Sequence, residues 1–185
     1  MNPIIETKRL LLRAWEEKDR SEFARMNADS RVMEFFPALW TQEESDAVFE
    51  KLKALMEERG WGLWVLEEKS SGNFMGFTGL NVPNFEAPFM PAVEIGWRIL
   101  PEFWNEGFAT EAAIKSLWFG FKVLGLEEIV SFTAVGNVKS QRIMEKIGMK
   151  RCMVKDFLHP KVPDGHVLKA HVVYEIPKSL FFGHC

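Results

Sequence analysis

The chain has 185 residues, 47% of them hydrophobic and 26% charged, with a formal net charge of −3. These numbers fit one soluble globular domain over residues 1–185 with a sizeable core. They give no reason to expect a nucleic-acid or membrane-surface partner, because Lys and Arg are scattered. Two cysteines, Cys152 and Cys185, are too few for a disulfide framework. No early apolar run reads as a signal peptide, and no stretch approaches the ~20 residues of a membrane span. The expected location is therefore cytoplasmic.

In chain order, alternating residues 8–15 read as a first strand and residues 16–28 as a polar helix. Thr41-Gln-Glu-Glu44 is a capping-box pattern that opens a helix to about Glu58, stopped by Gly60. Residues 61–67 and 74–82 read as a hairpin around the Ser70-Ser-Gly-Asn73 turn. Residues 83–91 form a loop with three prolines and two phenylalanines, apolar enough to line a cleft or meet a partner. Residues 93–99 are a fourth strand. Residues 110–124 are a helix ended by Gly125, with Glu111 and Lys115 one turn apart for pairing. Residues 128–134 are a strand. Residues 138–147 are a short helix with Ile143 and Ile147 inward and Gly148 as its stop. Two last strands, 149–157 and 171–176, flank a Pro/Gly loop. Hairpins and helix crossovers together predict a mixed sheet with helices on its faces.

The most informative stretch joins the fourth strand to the next helix: Arg98-Ile-Leu-Pro-Glu-Phe-Trp-Asn-Glu-Gly-Phe-Ala-Thr-Glu-Ala112. A strand that turns directly into a helix leaves backbone N–H groups unpaired at the positive end of the helix dipole. That arrangement suits an anion, phosphate above all. Gly107 and Ala109 are small enough for a ligand to reach the backbone. Glu94 interrupts an apolar strand and has two readings: a glutamate facing solvent, or a general base in a cleft. Asn137 opens a short helix and reads either as its N-cap or as a ligand contact. Ser140, three residues on, shares its side of the helix. The four histidines, His159, His166, His171 and His184, have no metal-ligand spacing.

Four pieces stand in one order: Thr7-Lys-Arg-Leu-Leu-Leu-Arg13, Glu94-Ile-Gly-Trp97, Trp104-Asn-Glu-Gly-Phe-Ala-Thr-Glu-Ala112, and Asn137-Val-Lys-Ser140 through Met149. Together they resemble the GNAT superfamily of acyl-CoA-dependent N-acetyltransferases, and within it the RimJ/RimL-type branch that acetylates protein N-termini and small amines. The resemblance implies an α/β (α+β) GNAT fold, a mixed, mostly antiparallel sheet of about seven strands flanked by about four helices. It implies acetyl-CoA as co-substrate, no metal, and an amine acceptor, with the protein or peptide α-amine preferred over a small amine. A non-catalytic acyl-CoA-binding domain is the alternative from another class. Monomer and homodimer are both open.

The resemblance also assigns residues. Asn105, Glu106, Gly107, Phe108, Ala109 and Thr110 would hold the pyrophosphate. The family pattern Gln/Arg-x-x-Gly-x-Gly/Ala reads here Trp104-x-x-Gly107-x-Ala109, and Glu106 places a carboxylate where a basic or neutral residue is usual. Trp97, Arg98, Ile99 and Leu100 would bind the pantetheine arm through a splayed strand, with an N–H near Ile99 facing the oxyanion. Asn137 and Ser140 would contact the thioester end, Ser140 as proton donor to the thiolate. The tyrosine common seven residues after the asparagine is Met144 here, which leaves Ser140 or water as the acid. Glu94 or water would be the base.

Overall fold

A computed structural model describes residues 4–183; His184 and Cys185 lie outside the described residues. β1 (Ile5–Glu6) and β2 (Leu10–Arg13) pair as a hairpin, with Ile5 opposite Leu12. Two helices follow, α1 (Arg20–Asn27) and α2 (Gln42–Arg59). The capping box expected at Thr41 is formed. Its hydroxyl accepts from the Glu44 N–H at 3.2 Å, and the Glu44 carboxylate accepts from the Thr41 N–H at 2.8 Å. Gly60, at φ 74°, ends the helix in the left-handed conformation that glycine adopts without strain.

β3 (Leu63–Glu68) and β4 (Phe74–Asn81) form the expected hairpin, and β5 (Glu94–Ile99) pairs antiparallel to β4. Then come α3 (Phe108–Lys122), β6 (Glu128–Ala134) and α4 (Val138–Lys146). β7 (Lys150–Arg151), β8 (Phe157–Leu158), β9 (Ala170–Pro177) and the short α5 (Lys178–Phe182) finish the chain. The sheet runs β1-β2-β3-β4-β5-β6-β9-β7, with β8 also on β9. Among the described residues β5–β6 is the one parallel pair.

The fold is the mixed, mostly antiparallel sheet that the resemblance implied, with nine strands among the described residues rather than about seven and five α-helices rather than four. Two-residue β1 and five-residue α5 are too short to leave a periodic signal. The strand expected over residues 149–157 is broken by a 3-10 turn at Met153–Lys155. The cause is Asp156: its carboxylate, held by Arg151, accepts the Val173 N–H at 3.2 Å and so replaces a backbone partner.

Both faces of the sheet are packed. Trp64 is fully buried and meets Phe119 of α3 edge-on at 5.1 Å. On the opposite face Trp15, Phe23, Phe49 and Phe77 form one aromatic cluster under α1 and α2. The proline-rich loop at 83–91 is packed within the chain: Phe85 and Phe89 join Phe132 and Phe157 in a second cluster over β6, β8 and β9. The Glu111–Lys115 pair is not formed. Glu111 turns instead toward the β1–β2 hairpin, and the Lys115 ammonium lies 4.6 Å over the Trp118 ring. Among the described residues no helix is long and apolar enough to cross a membrane.

Candidate functional site

The turn between β5 and α3 has the shape an anion needs. Asn105 has φ 65° and Gly107 φ 80°, so the chain makes two left-handed steps just before α3. Gly107 caps the helix without any side-chain hydrogen bond, and Glu111 N–H is the amide that reaches back to the Gly107 carbonyl, at 3.0 Å. The N–H groups of Gly107, Phe108, Ala109 and Thr110 therefore have no intrahelical partner. Asn105, Glu106 and Gly107 are exposed, so the Glu106 carboxylate lies in solvent, where its repulsion is screened. The Phe108 side chain is buried in the core, so the residue offers only its backbone to the turn.

The turn is fixed from two sides. Arg9, on the β1–β2 side, donates through Nη1 to the Glu106 carbonyl at 2.9 Å and through Nε to Glu111 at 2.7 Å. Glu111 also accepts from the Thr7 hydroxyl at 2.6 Å and the Arg9 N–H at 2.9 Å. Trp104, the residue that replaces the usual Gln/Arg, donates its indole N–H to the Ile99 carbonyl at 2.7 Å. Its ring lies 4.9 Å below the Lys139 ammonium of α4. The Thr7–Arg13 segment was legible as a motif, but only the fold reveals Arg9 as a support of the turn. Nothing in a single sequence signals a contact across about a hundred residues.

β5 and β6 meet and then part. Glu94 pairs with Val130, the Val130 N–H reaches the Val93 carbonyl at 3.0 Å, and the Ser131 hydroxyl reaches the Ile95 carbonyl at 2.9 Å. No pairing follows. Backbone groups alternate along a strand, so those of residues 93, 95, 97 and 99 point toward β6. Trp97 and Ile99 thus present backbone groups to a gap. The Ile99 carbonyl is taken by Trp104, while its N–H and the N–H and carbonyl of Trp97 remain for a ligand. Arg98 and the Leu100 N–H point the other way, toward β4; the latter binds the Met75 carbonyl at 2.9 Å.

At the start of α4, Asn137 does cap the helix: its Oδ1 accepts from the Ser140 N–H at 3.2 Å, and its Nδ2 donates to the Thr133 hydroxyl at 2.9 Å. The amide is thereby aimed along β6 and α4. Ser140 is half-buried, and among the described residues no hydrogen bond engages its hydroxyl. Met144 is buried in the core. Tyr174 lies on the far side of α4, its hydroxyl 3.2 Å from Glu145.

Glu94, Gly96 and Arg98 share one face of β5, the face beneath α1 and α2. The Glu94 carboxylate accepts from Asn81 Nδ2 at 2.7 Å, and burial pushes its pKa up to about 7 despite that bond and the nearby Lys161. Glu94 is half-buried, so its carboxylate is neither sealed in the core nor free on the surface. The Arg98 guanidinium is buried between Asn27, which accepts from Nη1, and the rings of Phe36, Trp40 and Phe77.

An uncapped helix N-terminus beside a splayed parallel pair, on a mostly antiparallel sheet, is the architecture of an acyl-CoA-dependent transferase. The Acetyltransferase (GNAT) domain model matches residues 9–150, and the chain belongs to that family. It is an acetyl-CoA-dependent N-acetyltransferase. It is 32% identical over 163 residues to the Uncharacterized N-acetyltransferase YnaD of Bacillus subtilis (strain 168), covering 88% of this chain and 89% of that one. It is 30% identical over 154 residues to the FsC-acetyl coenzyme A-N(2)-transacetylase of Aspergillus fumigatus, covering 80% and 65%. A GNAT-family acetyltransferase from Bacillus anthracis superposes with a TM-score of 0.78 at 28% identity, over 96% of this chain and 99% of that one. A spermidine N-acetyltransferase from Vibrio cholerae, in complex with CoA and spermine, shares the fold at a TM-score of 0.73 and 21% identity, over 95% and 99%.

Proposed function

We propose that this enzyme, a single domain acting in the cytoplasm, acetylates a protein or peptide α-amine in the manner of the RimJ/RimL-type branch. The carrying observation is Glu94, a half-buried carboxylate held by Asn81 Nδ2 at 2.7 Å on the face of β5 beneath α1 and α2, where burial raises its pKa to about 7. A base of that strength suits an α-amine with a pKa of ~8 better than a lysine at ~10.4. At neutral pH roughly a tenth of α-amines are already neutral, against well under one in a thousand lysines. A site without a tyrosine acid favours the amine that needs less help.

Acetyl-CoA supplies an acyl group already activated as a thioester, so the protein mainly orients two reactants. The amides of Gly107 to Thr110 bind the pyrophosphate. The open groups of Trp97 hold the pantetheine arm as an added strand would. The Ile99 N–H donates to the oxyanion. Glu94, directly or through water, accepts the amine proton; as the C–S bond breaks, the Ser140 hydroxyl gives its proton to the departing sulfur and regains one from solvent, to which Glu94 releases its own. Asn137 fixes the start of α4 and so the position of Ser140.

The test compares peptides with free and blocked N-termini, each containing one internal lysine, with acetylation mapped by mass spectrometry. Acetyl on the free α-amine alone supports the reading. Equal acetylation of free and blocked peptides overturns it. Transfer to polyamines or amino sugars in preference to both would replace it with the small-amine reading.

A further inference from the structure

Two arginines are buried in this protein, and they are treated differently. Arg13 is 7% exposed and fully paired: Nη1 and Nη2 each meet Asp19 at 2.7 Å, and Nε meets Glu67 at 2.7 Å. Arg98 is 9% exposed and has no carboxylate. Among the described residues its one hydrogen bond runs from Nη1 to the neutral amide oxygen of Asn27. Its Nε is buried without a partner. Three aromatic rings, Phe36 at 4.1 Å, Trp40 at 4.9 Å and Phe77 at 5.4 Å, surround the cation. Rings attract a cation through their faces but accept none of its planar N–H groups as a carboxylate does. Burying an ion costs several kcal/mol unless a counter-charge offsets it. Burial alone pulls the Arg98 pKa down to about 9, with no acid to raise it, so the group remains a cation at neutral pH.

The position along β5 gives that unpaired cation a use. Residues two apart on a strand share a face and lie roughly 6–7 Å apart. Glu94, Gly96 and Arg98 therefore form a row, and Gly96 falls where β5 leaves β6. A Cβ built on Gly96 would meet nothing within 4 Å, so there is open space between the carboxyl and the guanidinium. Asn27 is aligned by its Nδ2 bond to Ser45 at 3.3 Å, which fixes its oxygen toward Nη1 of Arg98, while among the described residues Nε and Nη2 make no hydrogen bond.

We propose that the acceptor bears a carboxylate close to its reactive amine, and that Arg98 receives this carboxylate while the amine lies over Gly96 toward Glu94. The inference rests on the reading of this face of β5 as the acceptor side. It names the acceptor class as an α-amino acid or a peptide whose N-terminal residues are acidic. A polycation would meet the wrong charge here.

The test uses matched acceptor pairs with the full-length enzyme and acetyl-CoA. Free amino acids are compared with their amides, and peptides beginning with Asp or Glu with those beginning with Asn or Gln. Wild type should favour the carboxylate member of one set by tenfold or more in kcat/KM, mostly through KM; which set shows it separates amino acid from peptide. Arg98→Met should remove that preference and Arg98→Lys should keep part of it, with acetyl-CoA affinity measured alongside. Equal kcat/KM within every pair for wild type overturns the inference even if Arg98→Met fails to fold. A preference that survives in Arg98→Met also overturns it. Transfer to α-amines with no difference within the pairs defeats this inference and leaves α-amine transfer standing, whereas no coenzyme A release with any amine defeats both.

Discussion

The indole nitrogen of Trp104 donates to the carbonyl of Ile99 at 2.7 Å, across the turn that joins β5 to α3. The bond occupies the Ile99 carbonyl, an acceptor at the mouth of the splay. It also pins the last strand residue to the turn proposed to receive the pyrophosphate. Trp104→Phe keeps the ring over which Lys139 lies and deletes only the donor. A neutral hydrogen bond contributes about 1 kcal/mol net, which corresponds to roughly fivefold in rate. Steady-state kinetics should show kcat/KM for acetyl-CoA reduced by about that factor, with the melting temperature lowered by only about 2–4 °C. A value equal to wild type would mean the bond does not organise the oxyanion end.

Gly107 stands at φ 80° with open solvent above it, and an added Cβ would meet only the Arg9 Nη2, at 3.6 Å. Space is thus not the constraint; backbone conformation and ligand approach are. Gly107→Trp should cost about 1–2 kcal/mol of stability through the left-handed conformation. It should also cover the amides of the turn, so calorimetry is expected to show acetyl-CoA binding lost. Arg9→Met, which frees the Glu106 carbonyl and one side of Glu111, should weaken the same binding several-fold without blocking it.

Much of this was legible before the fold was known. The turn was readable because a strand pattern ran into a helix pattern through Gly107, and local geometry follows from local sequence. Thr41 and Gly60 were readable for the same reason. The extended strand at 149–157 was not correctly bounded, because Asp156 competes for the Val173 N–H and that partner lies on a different strand. Glu111 was assigned to Lys115 by helix spacing, yet Thr7 and Arg9 hold it from another element. Arg98 was readable as part of a strand, and the family resemblance implied that the strand's backbone holds the pantetheine arm. Its side-chain environment of Asn27, Phe36 and Trp40 comes from α1 and the loop after it. Periodicity reports which face a residue takes, and only tertiary packing reports what waits there.

Ser140 has a hydroxyl without a hydrogen bond among the described residues, at the first turn of α4 and three residues from the cap Asn137. If it protonates the leaving sulfur, it acts in the transition state more than in the ground state. Ser140→Ala should then lower kcat by about tenfold or more while leaving acetyl-CoA affinity within a factor of about two. Rapid-mixing kinetics with the coenzyme A thiol as readout separates chemistry from product release. An unchanged chemical step would assign the proton to water.

Glu94 links stability and rate through one proton. Its pKa is raised from 4.5 to about 7, chiefly by burial, with the Asn81 bond opposing. The folded state therefore binds more protons than the unfolded state between those values. Stability falls as pH rises through that window and stays reduced above it. Glu94→Gln abolishes the effect, so the variant should melt higher than wild type at pH 8 and about equally at pH 4. The rate should move the opposite way. Wild-type kcat/KM should fall with acid as two protons, one on Glu94 near pH 7 and one on an acceptor amine near ~8. Glu94→Gln should lose the first of these, changing the limiting slope of log kcat/KM below pH 6 from two to one. Its rate at pH 8 should drop by roughly 10²-fold or more. A variant that is stabilised at pH 8 and fully active, with the slope unchanged, would identify Glu94 as a buried partner of Asn81 with no part in the chemistry.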